Sequence, residues 1–381
     1  MAQLEPTAAL TDEERIARIR LASTEHVGPI SFLRLIERHG SAASAIAALP
    51  EIASRTGRSM AASSQEAAER ELQAHSRAGA RLIVWGDADY PPMLAAITDP
   101  PPLLSVLGAV DMLSRPSIAI VGARNASAGG QRIAETIARD LSRQGIVVVS
   151  GLARGIDAAA HRASLANGTV AVVAGGVDVV YPPEHGELHR HIAAGGAVVA
   201  KRPLGSEPQA RHFPRRNRVI AGLAAGVVVI EAAQRSGSLI TARVALDEGR
   251  EVFAVPGSPL DPRCRGSNDL LRHGAVLTES ADDILEALAG RLAEPPTPPR
   301  QRPDPPPLPP SRLPIAPFPD TAPNADDPQS AILESLGPTP VSVDELVRRC
   351  QLSPSIVSTV LLELELAGRL ERHPGQRVSL L

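Results

Sequence analysis

Residues 118–127 read Ile118-Ala119-Ile120-Val121-Gly122-Ala123-Arg124-Asn125-Ala126-Ser127. Four apolar residues run straight into a glycine, and a turn of small residues leads on to a stretch with helical spacing over Gln131–Arg143. An apolar run without alternation suits a strand covered on both faces. The unit recurs. Val147–Ser150, Val170–Ala174, Ala197–Ala200, Val227–Glu231 and Val252–Val255 are further short apolar runs. Helical stretches such as Ala158–Ala166 and Ile240–Glu248 separate them. Repeated β-α-β units predict an α/β fold with a parallel, doubly wound sheet. Ligands of such sheets bind beside the carboxyl ends of the strands. Three glycine-bearing loops converge there, carrying Gly122, Gly151 with Gly155, and Gly175 with Gly176.

Working outward, Asp12 to about Leu49 reads as short helices, with Asp12 as N-cap and Val27-Gly28-Pro29 as a break. A helix, a short glycine turn and a second helix resemble a helix-hairpin-helix or SAM-like module. Pro91, Pro92 and Pro100–Pro102 punctuate a boundary. Proline dominates from about Glu294 to Pro328, which predicts an extended, semi-rigid linker. Beyond it, Ala331–Leu336, Val343–Cys350 and Pro354–Ala367 read as three helices, with Ser342 and Ser353 as N-caps. Leu370–Arg372 and Val378–Leu380, separated by Pro374-Gly375, read as a two-stranded wing, so this segment predicts a winged helix. The expected division is a small helical domain over 1–90, the α/β domain over 91–292, the linker over 293–328 and the winged helix over 329–381.

A chain of 381 residues with 43% hydrophobic and 21% charged residues belongs with ordinary globular proteins. The net charge of −3 means that any nucleic-acid contact must rest on a local basic patch. Cys264 and Cys350 lie far apart and outside any C-x-x-C pair, which excludes a disulfide framework and a cysteine zinc site and fits a reducing compartment. Met1–Thr11 lacks a basic region followed by an apolar core, and no apolar run reaches the roughly 18 residues of a membrane helix. A soluble, cytoplasmic protein with no membrane span is expected.

The densest local signal is Lys201–Arg218. It holds Lys201, Arg202, Arg211, Arg215, Arg216, Arg218 and His212 against a single acid, Glu207, with Phe213 inside the run. Cations track phosphates, and an aromatic ring stacks on a base at roughly 1–3 kcal/mol. Asn217 and Arg218 are expected to start the helix Val219–Ala224, whose N-terminus would suit an anion. The turn after the first strand offers the same geometry, with Arg124 adding a planar fork for phosphate. Ser236, Gly237, Ser238 and Thr241 suit a phosphate or a turn equally well. Asp157 is expected to cap a helix and His161, one turn on, to face the same side as a buried polar brace or part of the site lining. No nucleophile signature accompanies this pair.

Four blocks carry a resemblance: SGLARGIDAAAH at 150–161, FPRRNRVIAGL at 213–223, EAAQRSGSLITARVALDEGREVFAVPG at 231–257 and GSNDLLRHGA at 266–275. They resemble the signature blocks of the DprA/Smf DNA-processing family in order and spacing over about Ile118–Leu288. That resemblance implies an extended Rossmann-like domain that binds single-stranded DNA, forms homodimers and delivers the RecA recombinase during natural transformation, with no cofactor and no catalysis. It places the phosphate-gripping arginine at Arg124 beside Gly122. It places the basic block and its stacking ring at Arg211, Phe213, Arg216, Asn217 and Arg218, and the Ser-Gly-Ser helix start at Ser236, Gly237 and Ser238. Lys201 joins this candidate site through the basic run, and Thr241 through the same helix start. The family's usual Gly-Ser-Arg reads Gly122-Ala123-Arg124 here, and its common Ser-Glu before a proline reads Lys201-Arg202-Pro203.

Two other readings start from the same chain. A phosphoribohydrolase-like enzyme acting on nucleotides shares the fold class, but its P-G-G-x-G-T-x-x-E motif is absent and the comparable loop reads Gly175-Gly176-Val177-Asp178. A transcription regulator would present Lys, Arg, Asn or Gln on the third winged-helix helix. Here that helix is apolar and acidic through Leu361, Leu362, Glu363, Leu364, Glu365 and Leu366, which favours a protein-contact or structural role.

Overall fold

The structure, a computed structural model, describes residues 10–56, 60–290, 328–337, 340–367, 369–373 and 377–380. The chain opens with helices α1 (Asp12–Ala22), α2 (Pro29–His39), α3 (Ala42–Thr56) and α4 (Gln65–Arg77). Leu21, Phe32, Ile36 and Leu49 from the first three meet in one core. Thr11, not Asp12, caps α1, its hydroxyl accepting from the Glu14 N–H at 3.2 Å. Asp12 then sits in the first turn, where its charge favours the helix dipole.

The central layer contains β1 (Ala80–Val84), α5 (Pro92–Ala95), β2 (Leu103–Gly108), β3 (Ser117–Gly122), α6 (Ala128–Arg143), β4 (Val147–Ser150), α7 (Ile156–Ser164) and β5 (Thr169–Val172). It continues with α8 (Gly186–Gly195), β6 (Ala197–Ala200), α9 (His212–Leu223), β7 (Gly226–Ile230), α10 (Gly237–Asp247), β8 (Glu251–Ala254), α11 (Arg265–Arg272), β9 (Val276–Leu277) and α12 (Ala281–Ala287). The strands form one sheet in the order β1-β2-β6-β5-β4-β3-β7-β8-β9. Neighbours from β6 through β9 run parallel, while β1 pairs antiparallel with β2 and β2 with β6.

The six expected strands are β3 to β8. Of these, β4 to β7 are buried at every residue, which is why unbroken apolar runs announced them. One face of the sheet packs Ile83, Leu104, Val149 and Val170 against Val219 and Ile220 of α9 and Ala242 and Ala245 of α10. The other packs Ile118, Ile120, Val148 and Phe253 against Ile137 and Leu141 of α6 and Ala159 of α7.

Two expectations need correction. Strand β1 precedes the expected boundary at residue 90, yet Ala80–Val84 pairs along its whole length with Leu103–Leu107. The prolines between the two strands only reverse the chain within one sheet, so they do not separate domains. Helix α9 starts at His212, well before Val219, because Pro214 falls in its first turn, where a missing N–H costs nothing. Asn217 and Arg218 therefore lie mid-helix, where no free N–H groups are available to an anion.

The C-terminal unit comprises α13 (Pro328–Ser335), β10 (Val341–Ser342), α14 (Val343–Cys350), α15 (Pro354–Leu366), β11 (Leu370–His373) and β12 (Arg377–Leu380). Its strands form a small sheet in the order β10-β12-β11, giving the expected winged helix. Ser342 and Ser353 cap α14 and α15, accepting from the Glu345 and Ile356 N–H groups. The expected linker, apart from Pro328, lies outside the described residues, as does Pro374-Gly375. The winged helix is seated on α6: Ala128 enters its core beside Ile332, Leu346 and Val357. Arg132 pairs with Glu345 at 3.2 Å, and Arg349 donates to the Gln131 side chain at 2.5 Å and pairs with Glu135 at 3.7 Å.

Candidate nucleic-acid interface

Successive strands leave β3 on both sides, β4 to one side and β7 to the other, so the strand order reverses there. The loops following β3, β4, β5 and β7 splay apart around a cavity of about 750 Å³. This is the crevice that the doubly wound topology predicts for a ligand.

An aromatic ring held among cations forms the heart of the cavity. Phe213 projects from the first turn of α9, with the Arg124 guanidinium 5.2 Å and the Arg216 guanidinium 5.6 Å from its ring centre. Tyr181 meets it edge-on, with centroids 6.0 Å apart. Arg124 is exposed on the loop after β3, and Arg216 is buried. Arg216 faces Asp157 at 3.9 Å, beyond hydrogen-bond reach, and among the described residues its Nε is buried without a partner. Burial outweighs the attraction between the two. It pulls the Arg216 guanidinium down to about 10 with Arg124 adding to the effect, and it raises the Asp157 carboxyl against the opposing pull of Arg216.

The strand-end glycines bring these groups together. Asp157 accepts from the Gly151 and Ala153 N–H groups at 3.2 and 3.3 Å, so it closes the β4–α7 turn and leaves the cap of α7 to Gly155. Gly155 has φ +71°, and a side chain there would run into the Ala123 and Arg124 carbonyl oxygens. A Cβ on Gly151 would collide with the Arg216 guanidinium and lie 2.7 Å from an Asp157 oxygen. His161 does not meet Asp157. Its Nδ1 faces the Thr169 hydroxyl at 2.9 Å, bracing α7 against β5 outside the cavity lining. Full burial, with help from nearby His185 and Arg216, lowers its imidazole to about 3.

The anion seat expected after β3 is already filled. The Glu231 carboxylate accepts from the Ser127 N–H at 2.8 Å and from the Ser127 hydroxyl, which in turn accepts from the Gly130 N–H at 2.9 Å. An internal carboxylate thus occupies the α6 N-terminus where a nucleotide phosphate would sit. The N-terminus of α10 opens to the cavity instead. Ser236 caps it, and Ser236, Gly237, Ser238 and Thr241 all line the cavity. Asn217 donates to the Gly237 carbonyl at 3.2 Å and ties α9 to this helix start.

Of the sequence-derived candidates, the cavity brings together Gly122, Arg124, Phe213, Arg216, Asn217, Ser236, Gly237, Ser238 and Thr241. Arg218 lies elsewhere, committed to Asp99 and, at 3.1 Å, to Glu248. Lys201 and Arg211 also lie outside the lining. The sequence-derived candidates left out Arg154, Arg235, Arg263 and Tyr181, all of which line the cavity, although Tyr181 stands in the loop after the third expected strand, at that same edge. Arg154 and Arg235 sit in the strand-end loops after β4 and β7, so their position was a usable signal. Arg154 pairs with Glu184 at the rim. Arg263 arrives after β8 with no local signature. It holds Asp261 at 2.9 Å and donates to the Glu334 and Leu336 carbonyls at the end of α13, at 2.8 and 2.6 Å. Glu231, Asp261 and Cys264 have ligand-type atoms within 4.8 Å of one another. Ser127 and Arg263 engage the two carboxylates, and burial followed by those carboxylates pushes the Cys264 thiol up to about 12.

The family model described as DNA recombination-mediator protein A matches residues 81–289, more than half of the chain. The chain belongs to the DprA family. A DprA-like N-terminal HHH domain model matches residues 12–74 and a DprA winged helix domain model matches 316–376. Among relatives, the chain is 42% identical over 305 residues to Protein Smf of Escherichia coli, covering 78% of this chain and 77% of that one. It is 44% identical over 225 residues to the Bacillus subtilis DNA processing protein DprA, covering 58% and 76%. The solved DprA structure from Streptococcus pneumoniae aligns with a TM-score of 0.61 and 33% identity, over 73% of this chain and 98% of that chain. DprA from Helicobacter pylori, solved for its single-stranded DNA binding mode, aligns with a TM-score of 0.51 and 26% identity, over 55% and 95%. Among the described residues no helix is long and apolar enough to cross a membrane.

Proposed function

We propose that the chain binds single-stranded DNA in the strand-end cavity, protects it and hands it to the RecA recombinase, without catalysing a reaction. The observation that carries this reading is the Phe213 ring held between Arg124 and Arg216 beside the open α10 N-terminus. The ring offers a base something to stack on, the guanidiniums and helix N–H groups offer phosphate contacts, and neither depends on base identity. The Helicobacter pylori relative, named for that binding mode, supports the same reading. The Glu231 carboxylate takes the α6 N-terminus, so a phosphate in the cavity is left the α10 N-terminus and the guanidiniums. Homodimerisation through the Rossmann-like domain, RecA as partner and a cytoplasmic location complete the proposal.

The test is fluorescence anisotropy with labelled oligo-thymidine and with duplex at two salt concentrations. Single strands should bind more tightly, with affinity falling steeply as salt rises. Arg124→Ala should weaken binding to every sequence alike. Unchanged affinity in that variant would remove the cavity from consideration.

A further inference from the structure

The winged helix meets the α/β domain beside the cavity without entering it, since no described residue beyond Pro328 belongs to the lining. Its seat is narrow. Among the described residues, Ala128 is the one buried side chain of the α/β domain in the module's apolar core. Around it lie polar contacts, Arg132 with Glu345 and Arg349 with Gln131 and Glu135. Domains joined through a seat that is neither large nor apolar move readily against one another.

The remaining contact is made by a residue of the cavity wall. The last carbonyls of a helix lack partners inside it and carry the negative end of its dipole. At the end of α13, the Glu334 and Leu336 carbonyls are met by Nη1 and Nη2 of Arg263, at 2.8 and 2.6 Å. A guanidinium grips two phosphate oxygens with the same fork. Asp261 takes Nε and the other Nη2 hydrogen. With the module seated, a single Nη1 hydrogen of Arg263 is left for the cavity; with the module away, the two pointed at α13 join it.

We propose that the winged helix is a releasable inhibitor of the cavity: the carbonyl end of α13 stands in for a phosphate on Arg263, and a single strand that claims this guanidinium unseats the module from α6. The inference rests on the cavity reading and adds a control to it.

A cross-link can hold the module down. A Cβ on Gly337 would lie 3.9 Å from the Ser127 Cβ, inside the roughly 3.5–4.5 Å span of a disulfide, and would displace only the flexible end of Arg263. The Ser127→Cys/Gly337→Cys chain is compared with itself, oxidised and reduced, by anisotropy with labelled oligo-thymidine, so both forms share any cost of the substitutions. The parent chain under the same oxidant controls for Cys264 and Cys350. Oxidation should weaken binding about tenfold, the worth of one charged contact, and flatten the log-affinity against log-salt slope by about 0.7. With Arg263→Ala added, oxidation should make no difference. The opposite perturbation is Gln131→Ala/Arg132→Ala, which strips polar contacts from the seat outside the cavity lining and should tighten binding. Equal affinity of the oxidised and reduced chains, tighter binding on oxidation, an oxidation effect that survives Arg263→Ala, or no tightening in the α6 variant each overturns the proposal. Arg124→Ala keeps the two readings apart. If it weakens binding while the cross-link is silent, the inhibitor alone fails; if it is itself silent, the cavity reading fails whatever the cross-link does.

Discussion

Glu231→Ala separates the role of an internal carboxylate from that of an anion it resembles. The substitution deletes the acceptor for the Ser127 N–H and hydroxyl and leaves the backbone at φ +50° unchanged. Two hydrogen bonds to a charged group, at about 1.5–3 kcal/mol each, put the loss at about 3–6 kcal/mol. For a domain of this size that is a fall in melting temperature of roughly 6–24 °C. The vacated seat is a helix N-terminus with a free N–H and a hydroxyl, so inorganic phosphate should bind there and restore about 2.7 kcal/mol at a hundred times its dissociation constant. Thermal melting in phosphate and in chloride of equal ionic strength reads both effects. The variant should gain clearly more from phosphate than the parent does. An equal gain in the two proteins, or a variant that melts like the parent, would show that Glu231 does not stand in for a phosphate.

Phe213→Ala should weaken single-strand binding by roughly 1–3 kcal/mol, read by anisotropy, while leaving the salt slope intact because no phosphate contact is lost. Gly151→Ala should cost about 3–5 kcal/mol in urea unfolding, because expelling the Arg216 guanidinium leaves Asp157 buried without its counter-charge. A Gly151→Ala variant as stable as the parent would contradict that packing. His161 gives a pH signature: with its folded value at about 3 and its ordinary value at 6.5, the unfolded chain takes up a proton first on acidification. Stability from this group is therefore full above pH 6.5 and falls by roughly 1.4 kcal/mol per unit below it. His161→Gln should flatten the measured stability–pH curve between pH 6.5 and 4.5 by most of that amount, and parallel curves would refute the assignment.

The inner strands were legible because burial on both faces leaves an unbroken apolar run such as Val147-Val148-Val149. Strands β1 and β2 were not: they lie at one edge, and prolines between them resemble a domain boundary. Arg124 and Ser236–Ser238 were legible as lining of the candidate cavity because topology puts strand-end loops together, and Phe213 because a ring stands out inside a basic run. Arg218 was misread, since its fate depends on Asp99, 119 residues away in sequence. The filled seat at Ser127 was hidden for the same reason, its carboxylate lying 104 residues further on. Local pattern tells where a loop ends up, but charge pairing between distant segments decides which cations remain free for a ligand.

Arg263 borders the cavity and also anchors the end of α13 in the winged helix. One guanidinium has a fixed number of donors, and those given to the Glu334 and Leu336 carbonyls are withheld from any polyanion beside it. A strand bound there as proposed and the seating of the C-terminal module would then draw on a common set of hydrogen bonds. If the two compete for that guanidinium, linkage makes the influence mutual: lifting the module off α6 would change the strand's equilibrium constant by the factor with which the strand loosens the module.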